Sequence, residues 1–81
     1  MNREEIARRV IDVTARELNT SADQIKNDHH FAYDLGADSL KSIELVAAYE
    51  EEFDLELNEE EALKVQTVGE AIEFFASLLP D

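Results

Sequence analysis

Apolar residues return at three-to-four spacing at Ile6, Ala7, Val10, Ile11, Val13 and Leu18, the rhythm of one buried helix face. Asn2 with Glu5 forms a capping-box pattern ahead of them, so a first helix is predicted from about residue 3 to 18. The segment that follows, "NTSADQIKNDHHFAYDLGAD", is longer than ordinary helix connections, which marks either function or a hidden short element. Ser21 before "ADQI" suits the cap of a single turn, and Phe31 and Leu35 are placed to tack the loop to the core. A second helix is predicted from Ser39, with Asp38 as its cap, to near Phe53. Asn58 with Glu61 caps a short third helix over "EEEALKV", and Thr67 with Glu70 is another capping box that opens a fourth, closed off by Pro80. No segment alternates with period two, so no sheet is expected. The expected fold class is all-α, a small antiparallel four-helix bundle with a long first loop and a short third helix, as one domain over residues 1–81.

The second helix carries more apolar surface than a bundle face needs. At 100° per residue, Leu40, Ile43, Leu45, Val46, Ala47, Tyr49 and Phe53 spread over more than half its circumference. We assign Leu45, Val46, Tyr49 and Phe53 to the core, and Leu40, Ile43 and Ala47 to an exposed stripe edged by Glu44, Glu50 and Glu51. An apolar stripe rimmed by carboxylates suits transient docking, in which charge steers the encounter and a few apolar contacts give a releasable affinity. The rival assignment, with all seven in the core and the acids only solvating the surface, stays open.

Charge sharpens that picture. The chain of 81 residues has a net charge of −13, and the imbalance lies entirely after residue 26. Up to there Arg3, Arg8, Arg9, Arg16 and Lys26 balance the acids, whereas only Lys41 and Lys64 are basic beyond it. Such a field repels nucleic acid and anionic membranes, favours a monomer at low salt, and steers toward basic protein surfaces. There is no cysteine, which excludes disulfides and zinc-thiolate sites. "MNREEIARRV" lacks the apolar run of a signal peptide or membrane span, so a cytoplasmic protein is expected.

Candidate chemistry centres on Ser39. "GADSL" superficially resembles the Gly-Asp-Ser-Leu hydrolases, and His29 and His30 lie upstream. Nucleophilic catalysis, however, needs a strand-to-helix turn, an oriented base and an oxyanion hole, and this pattern offers none of them. The protein is therefore not expected to be an enzyme. The adjacent histidines point apart and have no third ligand at metal spacing; they are expected on the loop surface, and no metal site is expected. The acids do not match a calcium loop, although nonspecific divalent binding at Glu50 to Glu52 and Glu59 to Glu61 would relieve repulsion. What suits a serine at a helix start is a phosphate, because the first turn offers unpaired N–H groups and the positive end of the dipole. Position alone also fits an ordinary helix-terminal serine.

The surrounding residues go further. "DLGADSL", followed by "IELV", "EEEFD" and "EEEALKVQTVGEAI", resembles the acyl carrier proteins, specifically the free-standing type of bacterial fatty-acid synthesis, over essentially all 81 residues. The resemblance implies that Ser39 carries 4′-phosphopantetheine, attached by a phosphopantetheinyl transferase. Acyl groups would ride on its thiol to basic-patched fatty-acid-synthesis enzymes and acyltransferases. It further implies docking through Leu40, Lys41, Ile43, Glu44, Ala47, Glu50 and Glu51, and an acyl pocket at Phe31, Val46, Tyr49, Ala62, Val65 and Val68. Three positions depart from the family pattern: Lys41 is usually acidic, Ala47 usually methionine, and Tyr49 usually leucine. These departures keep alive a specialised carrier for a polyketide or lipid-modification pathway, and an unmodified acidic helical adaptor is the rival from another class.

Overall fold

The computed structural model describes residues 1–80. Four helices form, α1 (Arg3–Glu17), α2 (Ser39–Phe53), α3 (Glu59–Ala62) and α4 (Val68–Leu78), with a single 3-10 turn at Ala22–Gln24. Among the described residues there is no strand, only an isolated bridge between His30 and Thr67. The all-α bundle expected from the hydrophobic rhythm is therefore the observed fold.

Each helix start follows from its capping residue. The side chains of Asn2, Asp38, Asn58 and Thr67 accept the N–H three residues on, from Glu5, Lys41, Glu61 and Glu70. Each satisfies one of the donors that a first turn leaves unpaired. Only Thr67 and Glu70 close the reciprocal box; the Glu5 carboxylate instead lies 3.7 Å from Arg9. Ser21 precedes the 3-10 turn without a side-chain capping bond, because a turn this short is already closed by the backbone, Gln24 N–H donating to Ser21 at 3.0 Å. At its far end α2 stops where Asp54 enters the left-handed region, at φ 53°.

The helices meet around α1, whose backbone lies close to α2, α4 and the 3-10 turn. Ile6, Val10 and Val13 of α1 are buried together with Leu45, Tyr49 and Phe53 of α2 and Val68, Ala71, Ile72 and Phe75 of α4. Helices α2 and α4 join through large rings: Phe75 stacks on Phe53 with centroids 4.7 Å apart and meets Tyr49 edge-on at 5.3 Å. Arg9 closes one end of the α1–α2 seam. Its guanidinium lies 5.0 Å over the Phe53 ring and bonds both the Glu52 carboxylate, at 2.6 Å, and the Glu52 carbonyl. Arg3 and Glu73 pair across α1 and α4 on the surface, where solvent screening leaves such pairs little stabilising effect.

The long first loop is held down rather than loose. Phe31 N–H donates to Gln66 O at 2.9 Å, Val68 N–H to His29 O at 3.1 Å, and Gly69 N–H to Asn27 O at 2.8 Å. A Cβ on Gly69 would stand 3.0 Å from that same Asn27 oxygen, so any side chain there would push the strap outward by a few tenths of an ångström. Gly36, at φ +75°, makes the left-handed turn that delivers the chain to Asp38 and α2. Phe31 is buried and Leu35 packs at the core margin, as their positions in the loop suggested.

The two histidines lie in the loop, half-buried, and their rings take part in this strap. Nδ1 of His29 accepts the Lys26 N–H at 3.0 Å, and Nδ1 of His30 accepts those of Ala32 and Tyr33 at 3.1 and 3.3 Å. The turns leave backbone donors without helix or sheet partners, and the imidazoles satisfy them.

Candidate functional site

Ser39 is the first residue of α2 and is exposed. Asp38 takes the Lys41 N–H at 2.9 Å and Ser42 N–H donates to Asp38 O at 2.9 Å. The N–H groups of Ser39 and Leu40 and the Ser39 hydroxyl have no partner among the described residues. A free hydroxyl thus stands beside free donors at the positive end of a 15-residue helix, where a phosphodiester anion is stabilised. Among the described residues no hydrogen bond joins either histidine to the Ser39 hydroxyl, and each Nδ1 accepts backbone N–H groups instead.

Beside Ser39 lies an open hollow of about 530 Å3 walled by Ala37, Asp38, Ile43 and Leu63, with Ser42 at its back. Ser42 and Leu63 also line a smaller, more apolar cavity of about 50 Å3, completed by Phe31, Leu45, Val46, Tyr49 and Val65. The two spaces therefore adjoin, sharing Ser42 and Leu63 as a common wall.

Of the six pocket residues expected, Phe31, Val46, Tyr49 and Val65 line this cavity. Ala62 and Val68 do not; both are buried but belong to packing around it. Their places are taken by Ser42, Leu45 and Leu63. Ser42 was detectable, three residues on from Ser39 and so on its face of the helix. Leu63 was not, because it is the residue that ends the four-residue α3, and where so short a helix sets its last residue has no signature in the spacing.

Tyr49 closes the inner end. Its hydroxyl lies 2.5 Å from that of Thr14, which donates its only proton to Val10 O at 2.7 Å, so the phenol must be the donor to Thr14. Burial pushes the Tyr49 pKa far up, since the phenolate would have to form without water around it. A group whose folded pKa is raised contributes stability that is intact below its unfolded value, about 10 for tyrosine, and is lost as pH rises above it. Thermal stability is therefore expected to fall above about pH 10, by up to about 1.4 kcal/mol per pH unit from this group. Tyr49→Phe should flatten that limb in melts recorded from pH 9 to 11; an unchanged limb would refute the assignment.

The stripe on α2 divides as its periodicity suggested. Leu40 and Ile43 are 66% and 44% exposed and Ala47 is exposed, while Leu45, Val46, Tyr49 and Phe53 are buried. Glu44 and Glu51 edge the stripe in solvent. Lys41 holds Glu44 at 3.3 Å, so its charge is partly answered on its own helix. Glu50 is different: its carboxylate turns inward to accept the Leu57 N–H at 2.8 Å, because the chain leaving α2 needs an acceptor there. With Glu52 committed to Arg9, the three consecutive acids do not form one anionic cluster. Among the described residues no group of three or more His, Asp or Glu is arranged to hold a metal. Tyr33, 87% exposed and stacked on His30 at 4.3 Å, adds an aromatic surface that no periodicity announces.

The comparisons agree on one family. Residues 8–75 match the family described as "Phosphopantetheine attachment site". The chain is 43% identical over 74 residues to an acyl carrier protein of Prochlorococcus marinus (strain MIT 9515), covering 91% of this chain and 92% of that one. It is 46% identical over 69 residues to an acyl carrier protein of Sulfurovum sp. (strain NBC37-1), covering 85% and 92%.

Proposed function

The chain belongs to the acyl carrier protein family, and on that premise we propose that residues 1–81 act as one carrier domain whose Ser39 bears the phosphopantetheine. The observation that carries this is the free Ser39 hydroxyl at the start of α2, opening onto a hollow that adjoins an apolar cavity. The residues present fit the group. The Ser39 and Leu40 N–H groups would hold its phosphate, and Ala37, Ile43 and Leu63 would give its stem apolar surface. When attached, the group supplies a thiol, which a chain without cysteine lacks, and acyl groups are held there as thioesters.

The protein's own residues then present rather than react. Leu40, Ile43 and Ala47 give partners an apolar strip, and Glu44 and Glu51 steer basic enzyme surfaces to it. The partners in this reading are a phosphopantetheinyl transferase and the enzymes of fatty-acid synthesis, with the protein as carried substrate rather than catalyst. No helix among the described residues is long and apolar enough to cross a membrane, and we assign the function to the cytoplasm. A specialised pathway is favoured by one observation, the polar Tyr49–Thr14 pair at the cavity floor.

Incubation with coenzyme A and a broad-specificity phosphopantetheinyl transferase tests the reading. Intact mass should rise by one phosphopantetheinyl group, and peptide mapping should place it on Ser39. A folded protein that gains no mass while a control carrier does would instead support the unmodified adaptor.

A further inference from the structure

The cavity behind Ser42 and Leu63 is small, and what limits it differs from wall to wall. At the opening, Leu63 is 41% exposed and Val65 half-buried, both just beyond the four-residue α3, so this side yields with little loss of packing. The floor is built otherwise. Tyr49 is 6% exposed, its hydroxyl is held by Thr14 on α1 at 2.5 Å, and its ring is braced edge-on by Phe75 of α4. Thr14 is itself fully buried and tied to the Val10 carbonyl. Moving the ring away from the cavity thus breaks a buried hydrogen bond and disturbs three helices at once.

A cavity of about 150 Å3 takes up a six-carbon benzene ring, so about 50 Å3 takes roughly two carbons. We propose that Tyr49, fixed by Thr14, is a specificity-determining stop that restricts the sheltered cargo of this carrier to short acyl groups of about two to four carbons, leaving the far end of longer chains in solvent. This rests on the reading that Ser39 bears the arm.

An aliphatic side chain at position 49 lacks both the ring and the tether, and α1 then borders an apolar space. Tyr49→Phe keeps the ring and removes the tether; Thr14 still donates to Val10, so no buried donor is stranded. The two variants separate the volume of the stop from its anchoring.

The experiment loads the full chain enzymatically from acetyl-, butyryl-, hexanoyl- and octanoyl-coenzyme A, checks each product by intact mass, and records two readouts. These are the midpoint of thermal unfolding and the rate at which hydroxylamine cleaves the thioester. A chain sheltered only by the native state raises stability and slows cleavage. In the native sequence both effects should grow from acetyl to butyryl and then level off. In Tyr49→Leu they should continue to octanoyl, with a further several-fold slowing of cleavage, and Tyr49→Phe should fall between. If Tyr49→Leu does not fold, the native profile and Tyr49→Phe decide the matter. A native profile that climbs to octanoyl overturns the stop while leaving the carrier reading intact, as does one that all variants share. Failure of any form to gain mass overturns the carrier reading, and this inference falls with it.

Discussion

Ser39→Ala is expected to abolish uptake of the phosphopantetheinyl group, from complete modification to none, while the protein stays folded. The separation of these effects follows from the geometry of the α2 start. The Ser39 hydroxyl has no partner among the described residues, and capping rests with Asp38, which holds the Lys41 N–H at 2.9 Å. Alanine is the most favourable residue within a helix, and exposed substitutions away from special features stay within about 0.5 kcal/mol. For a domain of this size the melting midpoint should therefore move by no more than about 4 °C. Ser42→Ala is the control: Ser42 lies one turn on and lines the cavity, so its loss should leave modification intact. Intact mass and thermal melts of both variants check the pair. If the Ser39 variant were still modified, another hydroxyl would be the attachment point.

The largest effect on stability is expected at Phe75, which is 2% exposed. Its ring is the shared surface of α2 and α4, stacking on Phe53 and bracing Tyr49. Removing a buried phenylalanine costs about 3–5 kcal/mol, transfer and cavity terms together. A chain of this length, at roughly 0.05–0.15 kcal/mol per residue, has only about 4–12 kcal/mol in all. Phe75→Ala should therefore lower the melting midpoint by at least about 12 °C, or unfold the protein outright at growth temperature. Urea denaturation followed by circular dichroism measures the loss; a change below about 1 kcal/mol would show that the core closes over the gap. Because Phe75 also braces Tyr49, acyl chains loaded on a surviving variant should meet a softer cavity floor.

The parts of this fold that were legible beforehand share a physical property: they are local. Asp38, Asn58 and Thr67 were identified as caps because a capping side chain bonds an N–H three residues away. The division of α2 into buried Tyr49 and Phe53 and exposed Leu40 and Ile43 followed because helical pitch fixes which residues share a face. The candidate site was legible where it is local as well, at Ser39 with its cap and in the stripe along one helix. Where the structure adds to expectation, the deciding contact comes from elsewhere in the chain. Glu50 was read only as an acid edging the stripe; that its carboxylate also accepts the Leu57 N–H is a demand set by how the chain leaves α2. The histidines were read only as loop-surface residues; that turn geometry recruits their Nδ1 atoms shows only in the fold.

The sequence by itself determined four helices, their starts, the acidic and apolar character of α2, and a serine set where a phosphate is welcome. Each is written in residues within one or two turns of each other. Tertiary structure alone decided that Leu63 rather than Ala62 walls the cavity and that Tyr49 meets Thr14, 35 positions away. Those contacts depend on how closely packed helices bring distant side chains together, and packing distance is not encoded in the spacing of residues along one helix.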